Sequence, residues 1–276
     1  MVLVRKSRTG EGAPEIFFVK RHHRSGFMAN AYVFPGGRLD PTDCEPAMIE
    51  RVVGDRGPLR EAMSGGLDES EAVGHVVAAV RETFEEAGIL LARCGDEVLA
   101  SEGSDARRLF ETYRDHLNAG EKSFLEILDE SDLSIRLLDL KFFANWITPT
   151  VEKRRYNARF FIAVAPEKQV GKHDEIETTD SVWLTARDAI EAYEKGGFDL
   201  APPTWRIVKD LASFVSVESI LTWASQITEV PAIMPHFTKV DGLPSLALPG
   251  DTEHPESRGS GVRNRVVMRD GRWREG

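Results

Sequence analysis

Residues 79–90, AVRETFEEAGIL, carry Glu82, Glu85 and Glu86 inside a segment whose other positions read as a buried helix stopped by Gly88. Like charges three or four residues apart repel on a helix, so a fold that contains this segment must either solvate the carboxylates or compensate them. Projected at roughly 100° per residue, Val73, Val77, Val80 and Phe84 form an apolar stripe, while His75, Ala79, Glu82 and Glu86 form a second stripe on the far side, with Glu85 alongside. A solvated acidic face is the simplest account of a charge run. Three features oppose it: Ala78 and Ala79 keep the acidic side thin, Gly88 stops the helix abruptly, and ILLA returns at once to apolar sequence. Carboxylates at i, i+3 and i+4 suit a hard, oxygen-preferring cation such as magnesium, which would relieve their repulsion.

The rest of the chain narrows the setting. With 276 residues, 41% of them hydrophobic, it can bury a full core. A net charge of -10 argues against a nonspecific grip on nucleic acid and requires that cations for an anionic substrate be supplied locally. No apolar run approaches the roughly 20 residues of a membrane span. Cys44 and Cys94 make neither a disulfide framework nor a zinc spacing, and the N-terminal MVLVRKSRTGEG and C-terminal RWREG read as no address, so the expected compartment is the cytoplasm. Neither a Ser-His-Asp elbow nor a Gly-rich phosphate loop appears.

Strands are expected at EIFFVKR (15–21), AYVFPGG (31–37), KFFANWITP (141–149), RYNARFFIAVA (155–165) and SVWL (181–184), where aromatic and β-branched residues cluster. Residues 44–74 read as short helices with glycine stops, 104–131 as a helical pair divided near Asn118, and the segment from Thr185 as a helix. PPTWRIVKDLASFVSVESILTWAS reads as helix broken near Ser216, and VVMRDGRWR as a hairpin because Asp-Gly favours a type I′ turn.

PGGRLDPTD followed by RETFEEAGI resembles the Nudix box, Gly-x5-Glu-x7-Arg-Glu-U-x-Glu-Glu-x-Gly-U, where U is bulky and apolar. Gly37, Arg81, Glu82, Glu85, Glu86, Gly88 and Ile89 stand in matching places. Thr83 departs from the pattern at U, the helix projection giving the buried role to Phe84 instead, and Asp43 stands where the first Glu belongs. The spacing departs most: 37 residues separate Asp43 from Arg81. A split box is similar to that of the acyl-CoA diphosphatase (Nudix motif 19) branch, and further landmarks, RHHRSGFMANAYVFPGGRLD, NWITP with RRYNARFF, LAPPTWRIVKDLASF and LPGD, extend the resemblance over roughly residues 15–250. It implies an α/β (α+β) fold, an αβα sandwich around a mixed sheet. The Nudix domain would span 1–200, with insertions at 44–74 and 104–131, and a helical and hairpin extension at 201–276 would pack on it. The 44–74 insertion is expected to be a separate helical lobe near the entrance.

The resemblance further implies a hydrolase in which Glu82, Glu85 and Glu86, with a backbone carbonyl of Gly36 or Gly37, hold Mg2+ or Mn2+ against a diphosphate. Arg81 is expected to orient a carboxylate. Either Glu82 or Glu177, the latter in the loop HDEIETTD with Asp174 and Glu175 as weaker rivals, would be the base. VKRHHR (19–24) and EKRRYNAR (152–159) are the local cations: Arg21, Arg154 and Arg155 would grip phosphates, and Arg24, Arg154 and Arg155 a 3′-phosphate. His22 and His23 are weak zinc ligands because neighbours in a strand point to opposite faces. Phe27, Trp146, Tyr156 and Trp205 read first as packing residues, with stacking on an adenine or lining of an acyl pocket as the functional alternative. The expected substrate is CoA or acyl-CoA, with NADH or ADP-ribose as the rival substrates and a non-catalytic ligand-binding module as the rival class.

Overall fold

The computed structural model describes residues 1–8, 12–24, 28–63, 66–99, 103–257 and 262–276. Its centre is a mixed seven-stranded sheet. The N-terminal strands are β1 (Val2–Arg5), β2 (Glu15–Arg21) and β3 (Tyr32–Val33). After a 3-10 turn at Pro41–Cys44 come α1 (Pro46–Glu50), β4 (Val52–Val53), α2 (Gly57–Ala62) and the long α3 (Glu69–Ala87). A small ribbon, β5 (Arg93–Cys94) with β6 (Glu97–Val98), precedes α4 (Ser104–Asn118), α5 (Phe124–Glu130) and β7 (Ile135–Arg136). Next are β8 (Leu140–Ile147), β9 (Asn157–Val164) and β10 (Thr178–Thr185), then α6 (Ala186–Lys195), α7 (Pro202–Leu211) and α8 (Val217–Ser225). The chain closes with β11 (Ala232–Ile233), β12 (His236–Val240), β13 (Leu243–Ala247), β14 (Arg265–Arg269) and β15 (Arg272–Glu275). The main sheet runs β10-β2-β1-β9-β8-β11, with β3 also on β2; β1 lies parallel to β9 and the β8–β9 and β2–β10 pairs are antiparallel.

Alternation along the central strands makes three layers. Phe17, Val19 and Leu3 enter the core beneath α3, whereas Ile16, Phe18, Val2 and Val4 enter the core beneath α6, α7 and α8. Successive strand residues point to opposite faces, so each apolar run is buried on both sides, as an αβα sandwich requires. The break at Ser216 is a helix start: its side chain accepts from Ser219 N, and α8 begins at Val217.

Three expectations need correction. The segment 31–37 is strand only at Tyr32–Val33, since Pro35 cannot donate to a ladder and Gly36 adopts φ 151°. The 44–74 insertion is not a separate lobe: Met48, Ile49, Val52, Ala62 and Met63 lie in the same core as Val73 and Val77, Val52 pairs with Ile135, and residues 69–74 are the start of α3 itself. The C-terminal region contains more than one hairpin, for β12, β13, β14 and β15 form a four-stranded antiparallel sheet. The missed β12–β13 turn is Asp241-Gly242, both with positive φ, the same turn chemistry as Asp270-Gly271.

Candidate active site

Helix α3 is fixed at both ends. Asp68 caps it by accepting from Glu71 N while Glu71 returns a bond to Asp68 N, and Gly88 closes it in the left-handed region at φ 64°. The helix is buried nearly all round because it is sandwiched between the sheet and the helices of the insertions. Thr83 and Phe84 are both fully buried, and Thr83 satisfies its hydroxyl by donating to Ala79 O at 2.6 Å. A polar residue at the apolar box position therefore leaves no orphan.

The compensating charge for the carboxylates is internal. Arg81, nearly buried, donates Nε and Nη2 to the two oxygens of Asp43 at 2.9 and 3.0 Å, Nη1 to Glu82 at 3.1 Å and to Glu85 at 3.1 Å, and Nη2 to Arg38 O at 2.9 Å. Asp43 is itself 1% exposed and accepts from Asp40 N. The Asp that replaces the box's first Glu is thus a fork-on-fork partner for Arg81 across the insertion, and Arg81 bonds the carboxylates of Asp43, Glu82 and Glu85. Although burial opposes its charge, Asp43, Glu85 and Glu82 hold Arg81 above the usual guanidinium value.

The glycine loop closes over the other side. Gly36 N donates to Glu86 at 2.9 Å and Arg38 N to Glu82 at 3.2 Å. A Cβ on Gly37 would lie 2.3 Å from the Glu82 carboxylate. Because the obstacle is the end of a flexible side chain, Gly37→Ala is expected to leave the melting temperature within about 2 °C yet to displace Glu82 and lower turnover about tenfold or more. A variant with wild-type turnover would show that Glu82 need not sit against this loop.

One arginine does not neutralise the cluster. Burial pushes Glu86 up to about 8, opposed by the Gly36 amide and reinforced by Glu82, Glu177 and Asp174. Burial pushes Glu85 up to about 7 against the pull of Arg81, and raises Glu82 as well. All the side-chain donors are carboxylate oxygens and the most buried, Glu86, has among the described residues a neutral amide as its hydrogen-bond partner, a donor set that fits a hard divalent cation. Among the described residues no three His, Cys, Asp or Glu side chains already converge as a metal cage; Arg81 bridges Glu82 and Glu85 instead.

Glu177 stands on the loop before β10 and acts electrostatically on both Glu82 and Glu86. Its rival Asp174 organises this loop, accepting from the amides of Ile176, Glu177 and Thr178, and Glu175 pairs with Lys172 at the surface. Arg114, unnoticed in the sequence, ties the insertion to the site: its Nε donates to Glu85 O at 2.8 Å, and with Asp174 and Ile176 it lines a cavity of about 230 Å³. Helix α4 therefore borders the Glu177 loop. The only sequence signal for this was the basic residue on a helix facing the acidic one.

The basic segments separate. Arg21 ends β2 opposite Thr178, next to Glu177, whose carbonyl accepts from His22 N. Arg24 and Arg154 are exposed. Arg155 is also exposed, with Nε donating to Thr148 O at 3.1 Å and Nη2 approaching the Met234 sulfur, contacts that pin the β8–β9 loop. His22 and His23 lie beyond the end of β2, where strand alternation no longer applies, and their ring centroids lie 4.1 Å apart, tilted by 31°, rather than diverging. Trp146 and Trp205 are core residues, Tyr156 is exposed, and Phe27 lies outside the described residues.

An αβα sandwich with an Arg-tethered glutamate cluster on its long helix, closed by a Gly-Gly loop, is the architecture of a Nudix hydrolase, and a crystallised NUDIX hydrolase from Alicyclobacillus acidocaldarius has this fold. It superposes with a TM-score of 0.61 at 25% identity, over 80% of this chain and 92% of that one. Residues 7–211 match the NUDT19 Nudix domain model, so the chain belongs to that family and is a Nudix diphosphate hydrolase. It is 27% identical over 274 residues to "Acyl-coenzyme A diphosphatase NUDT19" of Xenopus laevis, covering 88% of this chain and 72% of that protein. It is also 27% identical to the Gallus gallus protein of the same name, covering 92% and 76%, and 25% identical to the Homo sapiens one, covering 74% and 62%.

Proposed function

We propose that this hydrolase cleaves the diphosphate of CoA or acyl-CoA to 3′,5′-ADP and 4′-phosphopantetheine or its acylated form, with Mg2+ or Mn2+ held by Glu82, Glu85 and Glu86. The observation that carries the reading is the similarity, over most of the chain, to proteins named acyl-CoA diphosphatase. The buried and under-compensated glutamates support the cation. Bound there, it supplies Lewis acidity at phosphorus and offsets the charge of the diphosphate.

The chain's own residues do the rest. Arg81 holds Glu82 and Glu85 in fixed orientation, and the Gly36 amide does the same for Glu86, so that little reorganisation is needed when substrate arrives. Glu82 already shares its Oε1 between Arg81 and Arg38 N, whereas Glu177 is exposed and has no side-chain partner among the described residues. That freedom favours Glu177 as the base that takes a proton from the attacking water. Arg21, Arg24 and Arg154 are proposed to meet the outer phosphate oxygens, with Arg155 holding their loop. Cytoplasm is the proposed compartment, which the unpaired Cys44 and Cys94 support. Among the described residues no helix is long and apolar enough to cross a membrane.

A substrate panel with magnesium or manganese, read by product identity, tests the assignment. CoA or acyl-CoA is expected to be turned over best, with dephospho-CoA poorer by about tenfold or more, since it leaves a cationic group without its partner. Faster turnover of NADH or ADP-ribose, with CoA and dephospho-CoA alike, would replace this reading by a dinucleotide pyrophosphatase.

A further inference from the structure

The glutamates occupy only the second half of the polar stripe on α3. Its first half is marked by His75, seven residues before Glu82 and so about 10 Å away along the helix. Arg159 of β9 faces it closely enough to help burial hold His75 down at about 4. Directly across the β8–β9 ladder from Arg159 lies Asn145. Arg159 Nε and Asn145 Oδ1 are both buried without a hydrogen-bond partner, and Asn145 as a residue is 2% exposed. Arg159 forms no ion pair among the described residues. The carboxylate that acts on it from a distance, Glu71, is engaged at the cap of α3.

The contrast with the neighbouring arginine is physical. Arg81 has Asp43, Glu82, Glu85 and a backbone carbonyl around it. Arg159 is half-buried with none of these, and burial disfavours its charge. A partly desolvated guanidinium without a counter-ion is disfavoured, and here its orphan Nε donor stands across the ladder from the orphan acceptor Asn145 Oδ1 and near an imidazole kept neutral. A singly protonated phosphomonoester would match both orphans, accepting from Arg159 Nε and donating its hydroxyl to Asn145 Oδ1, with the neutral imidazole at its side.

We propose that Arg159, with Asn145 and His75, forms a subsite for a second phosphate of the substrate, a phosphomonoester distinct from the diphosphate that is cleaved. The proposal rests on the CoA reading above for the identity of that group, the 3′-phosphate. It moves recognition of it from the exposed loop arginines to a half-buried cross-strand arginine. Arg159 is a specificity residue and not a catalytic residue.

The test compares adenosine 3′,5′-bisphosphate with 5′-AMP by titration calorimetry on the full chain, for wild type, Arg159→Gln and Arg159→Lys. Wild type is expected to bind the bisphosphate at least about tenfold more tightly, and Arg159→Gln to bring the two ligands within about twofold while AMP binding is unchanged. The same substitution should lower the CoA to dephospho-CoA ratio of kcat/KM about tenfold, mainly through KM. Its melting temperature should hold or rise slightly, because a charge without an ion-pair partner is removed from a half-buried place where burial disfavours it. Should the glutamine variant fold poorly, lysine, a point charge without the fork, is expected to weaken the bisphosphate about threefold or more and leave AMP alone. A wild-type preference that survives Arg159→Gln, an equal loss for both ligands, or no preference in wild type would each overturn the subsite. Those outcomes leave the CoA reading standing if wild type still cleaves CoA, whereas failure to cleave CoA removes that reading while the binding ratio still decides the subsite.

Discussion

Glu86→Gln is expected to lower kcat by two to three orders of magnitude, about 3 to 4 kcal/mol of barrier, and to leave the fold at least as stable as wild type. Glutamine keeps an oxygen to accept from Gly36 N, and the apolar stripe of α3 is untouched. What is removed is a carboxylate buried against its preference for water. Its folded value of about 8 lies above the ordinary 4.5. Its stability contribution is therefore complete below about 4.5 and is lost as pH rises through about 8. In chelator, wild type should lose melting temperature as pH is raised across that window. In the variant the loss should shrink without vanishing, because Glu85, at about 7, acts in the same direction. Near-native turnover at saturating magnesium would sink the assignment of Glu86, and an unchanged pH slope would sink its burial as a charge.

The largest effect on stability is expected from Asp43→Asn. Arg81 is 8% exposed at its side chain and Asp43 1%, so the pair is screened little by solvent. Taking the charge from one partner of a buried pair typically costs 3 kcal/mol or more. Arg81 keeps Glu82, Glu85 and Arg38 O, which places the expectation at about 3 kcal/mol, or roughly 6 to 12 °C in melting temperature for a chain of this size. Turnover should fall too, because an Arg81 freed from Asp43 can be drawn further toward the glutamates it now holds in place. A melting temperature within a degree or two of wild type would mean that the Arg81–Asp43 fork does not tether the insertion to α3.

Much of the fold is local and could be read from the chain. β2, β8, β9 and β10 have aromatic and β-branched runs with sharp polar ends, and α3, α7 and α8 carry their own caps or prolines. Strand β1, four residues long, has no such boundary, and its place between β2 and β9 is decided by pairing partners more than a hundred residues apart in one case. The insertion looked detachable because its helices are short and glycine-punctuated. Only packing shows Met48, Ile49 and Met63 filling the core beside α3.

The site divides in the same way. The acidic grouping of Glu82, Glu85 and Glu86 on one helix could be read from residue type and spacing, and it carries part of the resemblance to the Nudix box. Which partner each group takes could not, because Asp43 on Arg81, the Gly36 amide on Glu86 and Arg114 on the Glu85 main-chain carbonyl all approach α3 from distant parts of the chain. Periodicity likewise cannot show that Arg155 is held by Thr148 while Arg159, four residues on, has no ion-pair partner among the described residues. Both are arginines near one hairpin, and exposure is set by the layer that covers them. Sequence by itself determined the acidic helix, the alternating strands and the need for a counter-charge. Tertiary structure decided where that charge sits, since burial and pairing depend on which distant segments are packed against each side chain.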